Sequence, residues 1–117
     1  MRIVFQYLVA VILFLIAGVL EVSGDAKIRQ GFGDRRWIPC LVGAASLVIY
    51  GLFVNAAIAL KLIDWTFSRQ LGVYVAIFAL VSSLFGYLFF GERLGNLHLL
   101  GLSIVVIGGI VISISNR

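Results

Sequence analysis

Charge is scarce in this sequence. Only 12% of its 117 residues are Asp, Glu, Lys or Arg, and 62% are hydrophobic, whereas soluble domains are roughly one quarter charged. A chain so composed cannot cover its own surface with polar groups, so its solvent is lipid. Cysteine is almost absent: Cys40 stands alone, which excludes an intrachain disulfide and any cysteine-based metal cluster. With Pro39 as the one proline, long helices run uninterrupted. The apolar runs are continuous and lack the alternation of barrel strands. No nucleophile–base constellation, phosphate loop or metal-ligand spacing is present, so no enzyme chemistry, metal or cofactor is expected. The net charge of +4 is too thinly spread for nucleic acid. Basic residues in such a chain set topology and touch anionic headgroups.

What is present is four apolar stretches, each of a length that crosses a hydrocarbon core of about 30 Å at about 1.5 Å per residue. The first covers residues 3–22. A polar link over 25–36 follows, with Lys27, Arg29, Asp34, Arg35 and Arg36. The second stretch covers 38–60, with Trp37 suited to the membrane interface and Pro39 to a first helical turn. A short link holds Lys61, Asp64, Trp65 and Arg69; the third stretch covers 71–90. The turn from Gly91 to Asn96 leads to the last stretch, 97–115. The expectation is an all-α integral membrane protein, one domain over 1–117, with transmembrane helices near 3–28, 38–60, 70–90 and 97–115. The basic, then apolar, N-terminus could imitate a signal peptide, but the run is long for one and lacks a clean cleavage site.

Four spans put both termini on one side. That side carries Arg2, Lys61, Arg69 and Arg117; the other carries Lys27, Arg29, Arg35, Arg36 and Arg93. Four against five is nearly a tie, so two readings stand. Either the clustered first link fixes one orientation, or copies insert both ways.

Helices in lipid associate through close packing of small residues. In the third stretch Gly72, Ala76, Ala79, Ser83 and Gly86 step by four and three along one face. Gly101, Gly108 and Ser115 lie seven apart in the fourth, and Ala10, Ala17, Glu21 and Gly24 share a face of the first. Ordinary helix packing accounts for such stripes. Tyr74 and Phe78 fall roughly opposite the third stripe, facing either lipid or a cavity.

Glu21 stands out because an ionisable group in a span is costly, about 3 kcal/mol at the bilayer centre by insertion scales, and commonly has a task. Two placements are open. Glu21 could sit solvated at the interface, near Asp25, Lys27 and Arg29. Alternatively, the helix continues past Gly24, bringing Glu21 inside with Asp25 nearer the mouth on the same face. A carboxyl group withdrawn from water favours its protonated form. An acid so placed holds a proton or a cation but not both well, which suffices for exchange. Among other polar groups, Asn55 is suited to a hydrogen bond across helices or to a ligand, and Tyr50 to packing or the interface. Ser82 and Ser83 can bond their own helix carbonyls, Glu92 and Arg93 suit a solvated turn pair, and His98 an interfacial position.

Four short helices, a glutamate in the first, and the stretch LFFGERLGNLHLLGLSIVVIGGIVIS together resemble the small multidrug resistance transporters and the wider drug/metabolite transporter superfamily. The similarity covers nearly the whole length. It is most specific from Ser83 to Ser113, where Phe90-Gly91-Glu92-Arg93-Leu94 matches the turn between the last two helices. Gly101 and Gly108 match the glycine pair through which members dimerise. Glu21-Val22 with Gly24 matches the essential glutamate and its following glycine, Pro39 the helix-two proline, and Gly72-Val73-Tyr74-Val75 the helix-three kink. Before that kink, Ser68-Arg69-Gln70-Leu71 stands where members carry an aromatic-rich alanine-tyrosine stretch; Tyr74 falls on their binding-site tryptophan in one alignment, whereas Gly72-Val73 falls on the kink in another, about one helical turn away.

The resemblance implies a small four-helix bundle acting as an antiparallel, dual-topology homodimer in the cell (inner or plasma) membrane. Its partners would be the bilayer, protons and small or hydrophobic cationic substrates. It implies a proton-coupled exporter with Glu21 as the shared proton and cation site. Tyr74, Tyr50, Asn55 and Ser83 would be further binding residues, Asp25 a secondary acid, and Gly101, Gly108, Gly72, Ala76, Ala79 and Gly86 packing or dimerisation positions. The alternatives are a subunit translocating lipid or lipid-linked sugar, with Arg35 and Arg36 on a headgroup phosphate, and a non-transporting accessory membrane protein.

Overall fold

A computed structural model describes residues 2–115; Met1, Asn116 and Arg117, the last counted above for topology, lie outside the described residues. Among the described residues there are four α-helices and no strand: α1 Arg2–Asp34, α2 Trp37–Ala59, α3 Phe67–Phe89 and α4 Asn96–Ile114. All four are long and apolar enough to cross a membrane. They form two units, divided after Ile63, each an antiparallel helical hairpin: α1 with α2, and α3 with α4. Large apolar side chains such as Leu52, Ile104 and Ile107 stand exposed on the hairpins. That is the expected surface for a chain whose solvent is lipid.

The first helix is longer than expected. It runs past residue 28 to Asp34, so most of the 25–36 link is helical. No proline interrupts it, and Ala26, Lys27, Arg29 and Gln30 are good helix formers. It ends where Arg35 turns left-handed (φ 55), with the Arg36 N–H donating back to the Gly31 carbonyl at 2.9 Å. The end of α2 repeats this geometry: Lys61 has φ 60, and the Leu62 N–H donates to the Ala57 carbonyl at 3.1 Å. Both are Schellman-type caps with a basic residue at the position glycine usually fills. A positive charge there suits the negative end of the helix dipole. α3 starts three residues before its expected boundary, because the Thr66 side chain caps it, accepting from the Arg69 N–H at 3.3 Å.

In the first hairpin, Ala10, Phe14, Ala17, Gly24 and Gly31 are buried, with Glu21 and Ile28 half-buried at the intervening steps. This is a seam repeating every seven residues. The backbones meet where side chains vanish. A Cβ on Gly43 would lie 2.5 Å from the Gly24 carbonyl oxygen, and one on Gly24 would lie 2.9 Å from the Gly43 carbonyl and 3.1 Å from Leu47. Gly31 lies under the Cys40 sulfur.

In the second hairpin the small-residue stripe of α3 meets α4. Gly72 packs on Ile112, Ala76 on Gly109, and Gly86 lies beneath the Glu92 carboxylate. Ala79 continues the same face, half-buried. At the far end the Arg69 guanidinium reaches the Ser113 carbonyl and lies 4.6 Å from the Trp65 ring centroid. That carbonyl belongs to the last turn of α4, where helix acceptors lack intrahelical donors.

Candidate functional site

Three contacts fix how α1 and α2 align: Gly31 with Cys40, Ile28 with Gly43, and Gly24 with Leu47. Each step of three or four residues along α1 is matched by the reverse step along α2. Continuing that register puts Glu21 level with Tyr50, Ala17 with Val54 and Phe14 with Ala57. The burial of Ala17, Val54, Phe14 and Ala57 agrees with it. Tyr50 lies thirteen residues after Trp37 and nine before Ala59, or about 20 Å and about 14 Å along the helix axis. Glu21 is therefore half-buried, on the packed face of α1, beside the middle third of a helix that carries no Asp, Glu, Lys or Arg.

Asp25 follows one turn later on the same flank, exposed. Small residues make this arrangement possible. Gly24 and Gly43 draw the backbones together, so the acid sits against a close helix pair and is not held away by bulky neighbours.

The remaining predicted residues divide. Asn55 does not bond across to another helix. It is exposed, and its amide donates to the Gly51 carbonyl of its own helix at 2.8 Å. Residue 55 follows the buried Val54 by one step, about 100° around the helix from the seam, which takes its amide out of reach of α1. Ser83 bonds His98 (Oγ to Nε2, 3.0 Å) and so belongs to the α3–α4 seam. Ser82 bonds the Ala79 carbonyl of its own helix at 3.1 Å. His98 is thus tied to α3, and Glu92 turns back onto Gly86 as its N–H donates to the Gly86 carbonyl at 3.0 Å. Tyr74 is buried and its ring lies 6.2 Å from that of Phe78, so it is not a lipid-facing aromatic. Gly101 and Gly108 face away from α3: a Cβ at either meets nothing within 4 Å. In the first hairpin the register sets Glu21 level with Tyr50, with Asp25 one turn further along α1; Tyr74 and Ser83 belong to the second.

Several residues that matter were missed. Gly31 extends the series Ala10, Ala17, Gly24 by another seven residues, a signal present in the sequence. Gly109, which meets Ala76, is the neighbour of the glycine that the seven-residue spacing selected. Arg69 and Ser113 carried no signal, because a guanidinium-to-carbonyl contact across two helices leaves no motif.

No protein-family model matches the chain, and no solved structure does. Two curated relatives do. A UPF0060 membrane protein of Mycolicibacterium gilvum is 31% identical over 107 residues, covering 91% of this chain and 94% of the relative. A UPF0060 membrane protein of Saccharopolyspora erythraea is 33% identical over 111 residues, covering 92% and 94%. With that identity along nearly the full length of both relatives, and four helices fit to cross a bilayer, this chain belongs to the UPF0060 family of membrane proteins.

Proposed function

We propose that this protein is a proton-coupled exporter of small or hydrophobic cations in the cell membrane, with Glu21 as the site that protons and substrate share. The observation that carries this reading is the position of Glu21 on the packed seam of α1, level with Tyr50 and far from both ends of α2. A carboxylate on that seam has an apolar helix on one side, so a proton or a cation is needed to offset its charge. Each displaces the other, and that competition couples their opposite movements. The similarity of the chain to small multidrug resistance transporters, described above, supports the same reading. Tyr50 is the nearest candidate for a hydrogen-bonding or ring contact with the bound cation.

The assembly that fits this function is an antiparallel homodimer. The near-balanced basic residues suit insertion in both orientations, and the open Gly101 and Gly108 face of α4 offers close backbone approach to a second copy. The exposed Arg35 and Arg36 beside Trp37 favour one other reading, translocation of a phosphate-bearing lipid.

The test is flux in proteoliposomes with tetraphenylphosphonium as probe. An outward-directed proton gradient should drive uptake of the probe into inside-acidic vesicles in exchange for protons. Glu21→Gln should abolish that uptake while the protein stays helical and monodisperse. Uptake unchanged in Glu21→Gln would remove the proposal. Loss of uptake on replacing Arg35 and Arg36, with Glu21→Gln active, would favour the lipid reading.

A further inference from the structure

The apolar parts of the two helices in the first hairpin are out of step. α1 carries no Asp, Glu, Lys or Arg from Ile3 to Leu20, and α2 carries none from Trp37 to Leu60. The register set by Gly24, Ile28 and Gly31 places Asp25 beside Ser46, and Arg29 beside Val42. The charged half of α1 thus runs alongside the first half of a wholly charge-free α2. Glu21, Asp25 and Arg29, four residues apart, fall on one flank of α1. They are half-buried, exposed and exposed in turn, and the series ends near Asp34, Arg35 and Arg36, all exposed. From Glu21 toward the start of α1 the same helix offers only apolar and small side chains down to Tyr7 and Gln6. Hydrocarbon against this flank would cost about 3 kcal/mol for each charged group by insertion scales. Water against it costs little.

We infer that this flank is a water-filled track that carries protons between Glu21 and the aqueous phase on the Arg35–Arg36 side, with Asp25 as an intermediate acid. It rests on the proposal above that Glu21 is the exchange site, and on α2 as the spanning frame. The track is one-sided: it opens at the turn of the hairpin and closes toward the Lys61 end. Arg29 at its mouth repels a passing cation, so the route suits protons and not the cationic substrate. Water and the Asp25 carboxylate relay a proton without net movement of a heavier ion. The proton lost by Glu21 is gained by Asp25 or water, and then by the bulk.

Hydration can be read without any substrate. In a Cys40→Ser background, single cysteines are placed at Glu21 and Asp25, and at Val48 and Ile49. The latter two lie at an intermediate level on α2 with 61% and 54% of their surface exposed. Proteoliposomes are treated with impermeant sulfonatoethyl methanethiosulfonate and labelling is normalised to the denatured protein. Glu21→Cys and Asp25→Cys should label at least about tenfold faster than Val48→Cys and Ile49→Cys, because only a hydrated thiol ionises and reacts. Equal labelling at all four positions would mean that the hairpin tip stands in bulk water, and would overturn the track. Protection of Asp25→Cys would mean that the flank meets lipid or protein, and would overturn it too. Asp25→Asn should slow proton movement while tetraphenylphosphonium binding persists; unchanged proton movement would remove Asp25 from the route. Hydration of the flank with proton-driven flux intact in Glu21→Gln would sink the exchange site, and with it the proton-carrying role of the track, while leaving the flank hydrated.

Discussion

At the scale of single residues, the strictest demands are made by glycines that face backbone. Gly43 has the Gly24 carbonyl where its Cβ would be, and a carbonyl in a packed helix cannot give way as a flexible side chain can. Gly51, two turns along the same helix, meets nothing within 4 Å. Gly43→Val should therefore destabilise the first hairpin by about 1–3 kcal/mol through overpacking. Gly51→Ala should be neutral or gain about 0.5–1 kcal/mol, as a glycine in a helix interior is entropically unfavourable. Denaturation with SDS in mixed micelles, followed by circular dichroism, separates the two. An equal response would mean that Gly24 and Gly43 do not set the approach of the helices. Glu21 stands out in the sequence from the rarity of charge alone. Its depth was not, because depth depends on where α2 lies alongside it. The expected cross-helix bond of Asn55 failed for a related reason: hydropathy does not tell which side of a helix an amide faces, and a carbonyl one turn back was available to it.

Among the elements, apolar length and the absence of proline were enough to foresee four helices. The end of the first was misplaced because charged residues signal the end of a hydrophobic run, and a helix can continue beyond it. The cap that ends α1 depends on Arg35 adopting a left-handed conformation, which composition does not announce. The small-residue stripe of α3 was visible as a periodicity, while its partner, α4 of the same chain, was not. The second hairpin is closed at one end by Arg69, whose guanidinium serves the Ser113 carbonyl and stacks near Trp65. Arg69→Met keeps the stem and removes the charge. It should cost about 1.5–3 kcal/mol, the usual worth of a hydrogen bond to a charged group. Faster amide exchange in the last turn of α4, with α1 and α2 unchanged, is the expected signature. Unchanged exchange there would show that the contact contributes nothing.

For the whole molecule, orientation decides what the hairpins can do. If the inferred track holds, parallel copies would open it on the same side of the membrane, and antiparallel copies on opposite sides. Cys40 is a poor reporter of this, being half-buried with its sulfur 3.5 Å from the Arg36 carbonyl. Asp34→Cys in a Cys40→Ser background puts the thiol on an exposed residue at the tip of the hairpin. An impermeant reagent applied to intact cells should reach about half of the copies, and permeabilisation the rest, as balanced flanking charge predicts. Labelling of all or none from outside would establish one orientation and exclude the antiparallel pair.

The most direct test of the account is whether a cation and a proton compete at Glu21. Tetraphenylphosphonium added to the purified protein in weakly buffered detergent should release protons as it binds, and Glu21→Gln should release none. Binding without proton release in the unaltered protein, or equal release from Glu21→Gln, would contradict the exchange mechanism at its centre.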